Sequence, residues 1–161
     1  MGVIFERHEL VSALAQSLIA SLNRELSGQY PEEGANHFRL DPEEVSEGRG
    51  AFLVAFMDSA AVGCGAVRLV DPQTAELKRM FIAIPERGKG VGRALLLELE
   101  REAMRLGASR LILETGPRQH AAIAMYKSAG FREIPSFGEY VGSPMSLCMG
   151  KDLQPALLDS P

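Results

Sequence analysis

The sequence predicts an α/β (α+β) fold built on a mixed, mostly antiparallel central sheet with flanking helices. Three consecutive β-prone runs, at 51–57, 62–70 and 75–84, are separated by short turn signals and predict an antiparallel meander. A helical period then leads to an apolar run at 110–114. Because a helix joins the third and fourth runs, they are expected to pair in parallel through a right-handed crossover.

Before the meander the chain carries a helical pattern and then a poorly patterned segment. Apolar side chains recur about every 3.6 residues over 9–26, which predicts an amphipathic helix. Gly28 and Pro31 signal its end. Residues 31–50 are rich in Pro, Glu, Gly and Asp, which favours a long loop or a short helix. The β pattern begins at Ala51.

The elements from the crossover helix onward complete one domain. That helix runs from Val91 to a stop signal at Gly107. The segments that follow are a helix at 119–129, strands at 131–134 and 145–149, and a tail at 151–161. Residues 1–150 are expected to form a single domain, because 161 residues with 46% hydrophobic side chains suit one core. The proline-containing tail is expected to fray.

Composition restricts the partners. A net charge of -4 and a pI near 5.4 argue against a general nucleic-acid binder, and no apolar run approaches the roughly 20 residues that span a bilayer. Cys64 and Cys148 lie far apart, and His8, His37 and His120 are scattered, so neither a metal site nor a disulfide framework is predicted. We expect a soluble, cytoplasmic protein with a small partner, without nucleic acid or membrane.

The most informative motif is the glycine-rich loop Arg87-Gly88-Lys89-Gly90-Val91-Gly92, between a predicted strand and a predicted helix. The first amides of a helix lack intrahelical partners and carry partial positive charge, so they bind anions. Glycines let a ligand approach the backbone, and cationic side chains at 87, 89 and 93 surround the same spot. A pyrophosphate ligand is the favoured interpretation, and a plain surface turn is the alternative.

Two nucleotide-binding motifs fit this loop poorly. Lys89 is followed by Gly90 rather than by Ser or Thr, which disfavours a P-loop. Arg93 occupies the position of the third glycine of a dinucleotide-binding fingerprint. The phosphate group is therefore expected to belong to another kind of ligand.

The order of elements and two motifs resemble the GCN5-related N-acetyltransferase (GNAT) superfamily. The acyl-CoA signature of that superfamily is matched at Arg87, Gly90 and Gly92, and a later Tyr-x-x-x-Gly-Phe motif begins at Tyr126. The likeness covers about residues 3–150 and includes blocks similar to a bacterial branch of small acetyltransferases. It implies the GNAT fold, with a parallel strand pair that splays apart, and an acetyl-CoA-dependent N-acetyltransferase. Dimers are frequent in the superfamily, so a homodimer is one expected assembly.

The resemblance also implies the cofactor-binding residues. The main chain of 80–82 would pair with the pantetheine arm and the thioester carbonyl, as an added strand pairs with a sheet edge. Amides of 88–93 would bind the pyrophosphate, and position 119 is where many members carry an asparagine that contacts the cofactor. The alternative for 80–82 is an ordinary core strand. The implied residues are Met80, Phe81, Ile82, Arg87, Gly88, Lys89, Gly90, Val91, Gly92, Arg93 and Gln119.

Glu76 is the candidate general base. It lies 11 residues before Arg87, the offset at which the histone-acetylating branch of the superfamily carries its catalytic glutamate. It is expected to accept the amine proton directly or through one water. Strand alternation predicts that Glu76, Lys78 and Met80 share one face. The alternative is an exposed carboxylate paired with Lys78 or Arg79.

Tyr126 is the candidate general acid. The resemblance implies this role, because many members of the superfamily place a tyrosine beside the cofactor sulfur at this position. A phenol with a reference pKa near ~10 is a plausible donor to a thiolate whose conjugate acid has a pKa near ~8.5. The alternative role is helix packing. Much of the rate acceleration is expected from positioning and from a backbone N–H near 80–82.

The acceptor is expected to be a primary amine of a small molecule or a peptide, acetylated by direct transfer. The candidate lining residues are Tyr30, Arg39, Arg79, Glu114, Glu139 and Tyr140. The glutamates suit a cationic amine and the arginines suit an acceptor with a carboxylate; the sequence does not decide between them, and each charge is alternatively a solvated surface group. Two other functions stay open: a non-catalytic acyl-CoA-binding or sensing module, and a nucleotide-binding protein unrelated to CoA.

Overall fold

The computed structural model describes residues 2–32 and 39–154. The elements in these ranges are β1 (Val3–Arg7), α1 (Ala13–Gln29), β2 (Gly50–Met57), β3 (Ala60–Asp71), β4 (Thr74–Ile82), α2 (Val91–Arg105), β5 (Arg110–Thr115), α3 (His120–Ser128), β6 (Arg132–Glu133) and β7 (Leu147–Asp152). Short 3₁₀ turns occupy Pro42–Val45, Ile84–Glu86 and Gly138–Tyr140. The first of these lies in the segment predicted as a loop or short helix.

The described strands form one sheet in the order β1-β2-β3-β4-β5-β7-β6. All neighbours pair antiparallel except β4 and β5, which are parallel, so the predicted mixed, mostly antiparallel sheet is confirmed. On one face, Leu95 and Leu99 of α2 share a buried cluster with Leu77. On the other face, Leu22 of α1 shares a cluster with Phe52. Helices therefore cover both faces of the sheet.

The N-terminal segment differs from the sequence prediction in two ways. The pattern does not predict β1, which is largely solvent-facing, with Ile4 61% exposed; its residues become a strand because they pair with β2. The first helix begins at Ala13 rather than at residue 9. The reason is a cap, because the Ser12 hydroxyl accepts a hydrogen bond from the Ala15 amide at 3.1 Å.

The parallel pair β4 and β5 is hydrogen bonded over only part of its length. Pairing ends at Leu77 opposite Leu113, whereas β4 continues to Ile82 and β5 to Thr115. Beyond that point no described strand fills the space between the two facing edges. The strands therefore splay apart, as the family resemblance implies, and their main-chain edges border a cleft.

A β-bulge at Arg79 changes which side chains of β4 share a face. Arg79 has a φ of 56°, and the register between β3 and β4 shifts beside it. Met80 consequently packs against the cluster that contains Leu77. Because one extra residue inverts the alternation of side chains, the expected common face of Glu76, Lys78 and Met80 is wrong.

The last strand ends further along the chain than the pattern indicates. β7 runs to Asp152, and Leu153 is buried. Lys151 donates hydrogen bonds of 2.8 Å to Glu100 Oε1 and to the carbonyl of Ala129. The expected boundary between 150 and 151 therefore falls inside a strand. Residues 155–161, the rest of the expected tail, lie outside the described residues.

Candidate active site

The cleft between the diverging ends of β4 and β5 opens into a cavity of about 550 Å³. Parts of α1 and α3 and the start of α2 complete its walls. The sequence-predicted residues that line it are Tyr30, Arg79, Met80, Phe81, Ile82, Arg87, Gly88, Gly90, Gly92, Arg93, Glu114, Gln119, Tyr126 and Tyr140. Those that do not line it are Arg39, Glu76, Lys89, Val91 and Glu139. The splay thus brings most of the predicted residues into one space.

The glycine-rich loop forms one end of this cavity. Gly88 and Gly90 have φ values of 79° and 87°, in the left-handed region, and Gly90 is the N-cap of α2. The Ala94 amide donates to the Gly90 carbonyl at 3.1 Å and closes the first turn. The amides of 91–93 therefore have no intrahelical acceptor, and the α2 dipole adds positive potential there. Unpaired amides at a helix start can bind a phosphate.

Two cationic side chains at this end are bonded to protein groups. Arg87 donates to both carboxylate oxygens of Glu25 at 2.8 and 2.9 Å, and its Nε donates to the Ile82 carbonyl at 2.8 Å. Arg93 donates to Ser128 Oγ at 2.7 Å. Arg87 thus ties the loop to α1 and to β4.

The main chain of β4 forms the middle of the cavity wall. One edge of the strand pairs with β3, and the other faces the cleft. The side chain of Phe81 belongs to the cluster under α1, and Ile82 packs beside Val91. These side chains are core, which was the alternative interpretation. The backbone edge nevertheless suits an extended ligand that pairs like a strand.

Tyr126 reaches the cavity from α3. It is 6% exposed and packs edge-on against Phe131, with 5.6 Å between the ring centroids. Burial raises the pKa of the Tyr126 phenol, and the charge of Glu114 raises it further. The phenol therefore keeps its proton at neutral pH. Tyr126 packs in the core and lines the cavity at the same time.

Glu76 is buried and does not line the main cavity. Its side chain is 1% exposed. Arg68 of β3 donates to Oε1 from Nε at 3.0 Å, and its Nη2 lies 2.8 Å from the same oxygen. Arg68 also reaches Glu44, in the Pro42–Val45 turn, at 2.8 Å. The expected alternative, an exposed carboxylate paired with a cation of its own strand, is therefore wrong.

Tyr140 connects Glu76 to the main cavity. The Tyr140 hydroxyl donates to Glu76 Oε2 at 2.8 Å. Tyr140 is 3% exposed and lines both the main cavity and a smaller one of about 250 Å³ that Glu76 lines. Burial raises the pKa of Tyr140, and the neighbouring Glu76 raises it further. The sequence places Tyr140 among the acceptor candidates but contains no signal for this bond across 64 residues.

Two buried cations of β4 also belong to the cavity wall. Lys78 is 8% exposed and Arg79 is 7% exposed. Arg79 Nη2 donates to the amide oxygen of Asn23 at 2.7 Å, and Lys78 Nζ donates to the carbonyl of Arg39. Burial lowers the pKa of Arg79, while nearby groups that include Glu114 oppose this effect.

Two of the predicted acceptor residues lie away from the main cavity. The Arg39 side chain is 76% exposed and pairs with Asp41 at 3.0 Å. Glu139 lines the smaller cavity instead. Conversely, the sequence prediction omits Lys78 and Asn23. The sequence contains no clear signal for either residue, because Lys78 is one of three charged residues in β4 and Asn23 is one of three polar residues between Leu22 and Leu26 of α1.

A family model described as the Acetyltransferase (GNAT) family matches residues 15–131. The chain belongs to this family. It is therefore an acetyl-CoA-dependent N-acetyltransferase, and the family resemblance of the motifs is confirmed.

Similar proteins support the GNAT assignment along nearly the whole chain. An IAA acetyltransferase of Azospirillum brasilense is 42% identical over 153 residues, which cover 94% of this chain and 99% of the relative. The crystal structure of an acyl-CoA N-acyltransferase from Klebsiella pneumoniae is 30% identical and has a TM-score of 0.80. The match covers 95% of this chain and 99% of that protein. The PaiA N-acetyltransferase of Thermoplasma acidophilum, solved in complex with coenzyme A, shares the fold at a TM-score of 0.69 and 21% identity. The match covers 94% of this chain and 99% of that protein.

The cavity of this GNAT chain fits the cofactor of the family. Gly90 caps α2, whose first amides could hold a phosphate, and the splayed strand edges could offer main-chain partners to an extended arm. Gly92 allows α2 to approach α3, since an added Cβ would lie 3.2 Å from Met125 Sδ. Among residues 2–32 and 39–154 there is no cluster of three or more potential metal ligands, and no helix is long and apolar enough to cross a bilayer.

Gly90→Val is expected to weaken CoA binding. At a φ of 87° a β-branched residue costs at least about 1–2 kcal/mol, so the loop should move away from its anion-binding conformation. Isothermal titration with CoA should show a Kd raised about tenfold or more. The matched control is Gly48→Val, because Gly48 has a φ of 82°, open space around it and no contact with the cavity. Equal CoA affinity in the two variants would remove the loop from the phosphate site.

Because the Cys64 thiol is buried, the protein is expected to lose stability at alkaline pH. Burial raises the pKa of its thiol to about 12, whereas an unfolded cysteine titrates near ~8.5. Because the folded pKa is the higher one, the stabilisation is complete below ~8.5 and falls as the pH rises toward the folded value. Calorimetric Tm should therefore decline above that point, with a shallower decline in Cys64→Ala. An unchanged slope in Cys64→Ala would contradict this assignment.

Proposed function

We propose that this GNAT enzyme transfers an acetyl group directly to a primary amine of a small molecule or peptide, with Glu76 as general base and Tyr126 as general acid. The observation that supports this most is the hydrogen bond that links Glu76 to the main cavity through Tyr140. Bound acetyl-CoA supplies an activated acetyl thioester. The residues of the chain must orient it, accept the amine proton and stabilise the charge on the leaving sulfur.

Orientation is proposed to come from the backbone. The amides of 91–93 hold the phosphate end, and the cleft-facing edge of Met80–Ile82 pairs with the extended arm. A backbone N–H of that edge would lie where negative charge develops on the acetyl oxygen. Fixed N–H donors in a water-poor cleft stabilise such charge without reorganising.

The amine proton is proposed to leave through Tyr140. An alkyl ammonium has a reference pKa near ~10.4, so a proton must be removed for the nitrogen to attack. Tyr140 Oη accepts that proton while its own proton passes to Glu76 Oε2, 2.8 Å away. Arg68 holds the other carboxylate oxygen and orients the group. Glu76 can then act as base without touching the amine.

Tyr126 is proposed to assist the leaving group. Burial raises its pKa, which makes the phenol a weaker acid than free tyrosine. Its contribution is therefore expected to come mainly from a hydrogen bond to the developing thiolate. Complete transfer of the phenol proton to the sulfur is expected to contribute less.

A thiol-release assay with acetyl-CoA and a panel of primary amines tests this function. Direct transfer predicts intersecting initial-velocity lines when both substrates are varied, and parallel lines would contradict it. Calorimetric titration with acetyl-CoA is the companion measurement. Binding of acetyl-CoA with no turnover of any amine in the panel would favour a non-catalytic acyl-CoA-binding module instead.

A further inference from the structure

The cavity wall contains a guanidinium that is held in one place. Arg79 is 7% exposed, lines the cavity and donates from Nη2 to the Asn23 amide oxygen at 2.7 Å. Lys78, 8% exposed, lines the same wall. A guanidinium shielded from water binds a planar carboxylate more strongly than one on an open surface does. The wall therefore offers a site for an anionic group.

The backbone at Arg79 points to the same conclusion independently. A φ of 56° is unusual for a residue other than glycine, and such strained positions concentrate where ligands bind. The β-bulge at this residue and the Asn23 bond together set the place of the guanidinium. A regular strand would not give this side chain the same position.

A carboxylate of the protein lies in the same cavity. Glu114 is on β5, across the cleft from β4, and Ser146 Oγ donates to its Oε2 at 2.7 Å. Burial lowers the pKa of Arg79, and Cys64, Tyr140 and Glu114 oppose that effect. The sequence leaves a cationic acceptor and a carboxylate-bearing acceptor as alternatives. In the structure, the carboxylate of Glu114 and the guanidinium of Arg79 both line the main cavity.

We propose that the acceptor is a free amino acid, bound with its carboxylate on Arg79 and its amino group toward Glu114 and Tyr140. This rests on the N-acetyl transfer proposed above. The amide C–N bond forms at the amino nitrogen as the thioester C–S bond breaks, and the amino proton leaves through Tyr140. The carboxylate takes no part in the bond changes and orients the nitrogen.

The remaining wall favours an apolar amino-acid side chain. Leu22 and Leu26 flank Asn23 on α1 and line the cavity, and Met145 lines it from the segment before β7. Leucine and methionine are therefore suitable probes, because their side chains match this lining in polarity.

The test compares L-leucine with isoamylamine, which lacks the carboxylate, and with L-leucinamide, which keeps the size but not the charge. Thiol release should show a kcat/KM for leucine about 10- to 100-fold above both, the usual effect of a charge-assisted hydrogen-bonded pair. Equal or higher values for isoamylamine and leucinamide would overturn the amino-acid assignment. Release with none of the amines would instead overturn the proposed N-acetyl transfer.

The variant Arg79→Gln tests whether this guanidinium binds the acceptor carboxylate. The ratio of kcat/KM for leucine to kcat/KM for isoamylamine should fall toward one. A smaller folded fraction would lower both values equally and would leave this ratio unchanged. Asn23→Ala, which leaves the charge in place, should lower the same ratio less. Arg24→Gln removes an exposed cation of α1 and should leave the ratio as it is. Titration with N-acetyl-L-leucine should likewise show weaker binding to Arg79→Gln than to Arg24→Gln. An unchanged ratio in Arg79→Gln would contradict the proposal.

Discussion

Glu76→Gln is expected to lower kcat for amine acetylation by about 10²- to 10⁴-fold, the usual contribution of a general base. Gln keeps the size of the side chain and an oxygen for Arg68, but it removes the basic carboxylate at the end of the Tyr140 hydrogen bond. KM for acetyl-CoA should stay close to that of the wild type, because Glu76 does not line the main cavity. Steady-state kinetics of thiol release measure both quantities.

The matched control for this substitution is Glu44→Gln. Glu44 is a second carboxylate paired with Arg68, at 2.8 Å, and it lines neither of the two cavities described above. Both variants therefore lose an ionic contact with Arg68, and only one loses the link to the main cavity. Similar kcat values for the two variants would mean that the arginine pair has a structural role and that Glu76 is not the base.

The same path can be tested from its other end with Tyr140→Phe, which removes the hydroxyl that joins Glu76 to the cavity. If the two residues act as one relay, the double variant with Glu76→Gln should be little slower than either single variant. Losses that multiply would indicate two independent roles.

Leu99→Ala is expected to lower the free energy of unfolding by about 2–5 kcal/mol, as large-to-small core substitutions do. Leu99 is 0% exposed and lies in the cluster between α2 and the sheet. A Cβ added to Gly65 of β3 would stand 2.6 Å from Leu99 Cδ1, which shows how closely this side chain packs on the strand. Urea unfolding followed by circular dichroism gives the loss. Leu97→Ala, on the same helix but only partly buried, should cost clearly less; equal costs would contradict the assignment of the core face.

Features that depend on neighbouring residues could be predicted from the sequence. The meander of β2, β3 and β4 follows from runs separated by short turns, and the parallel β5 follows from the helix between them. The turn at 87–90 and the helix start at Val91 could also be predicted, because glycines at a helix start determine the local backbone. In each case the physical cause acts over a few residues, so the pattern is visible in the chain itself.

Features that depend on distant residues were predicted incompletely. The edge strand β1 requires a partner strand 46 to 54 positions away in the sequence. The bulge at Arg79 requires the register with β3, and it moves Met80 to the face opposite Glu76. A period-two pattern assumes an unbroken strand, so it assigns this stretch of β4 to the wrong faces after the bulge.

The sequence by itself determined the family, the cofactor and the glycine turn that opens α2, because a few residues in fixed order specify a glycine turn, a helix start and a strand edge. Tertiary structure alone decided how charge is arranged around the main cavity. It buried Glu76 behind Tyr140, directed Arg79 to Asn23, and left Arg39 and Glu139 away from the main cavity. The reason is physical: burial and pairing of a charge depend on which chain segments meet in space, and residues 64 and 56 positions apart supply these contacts.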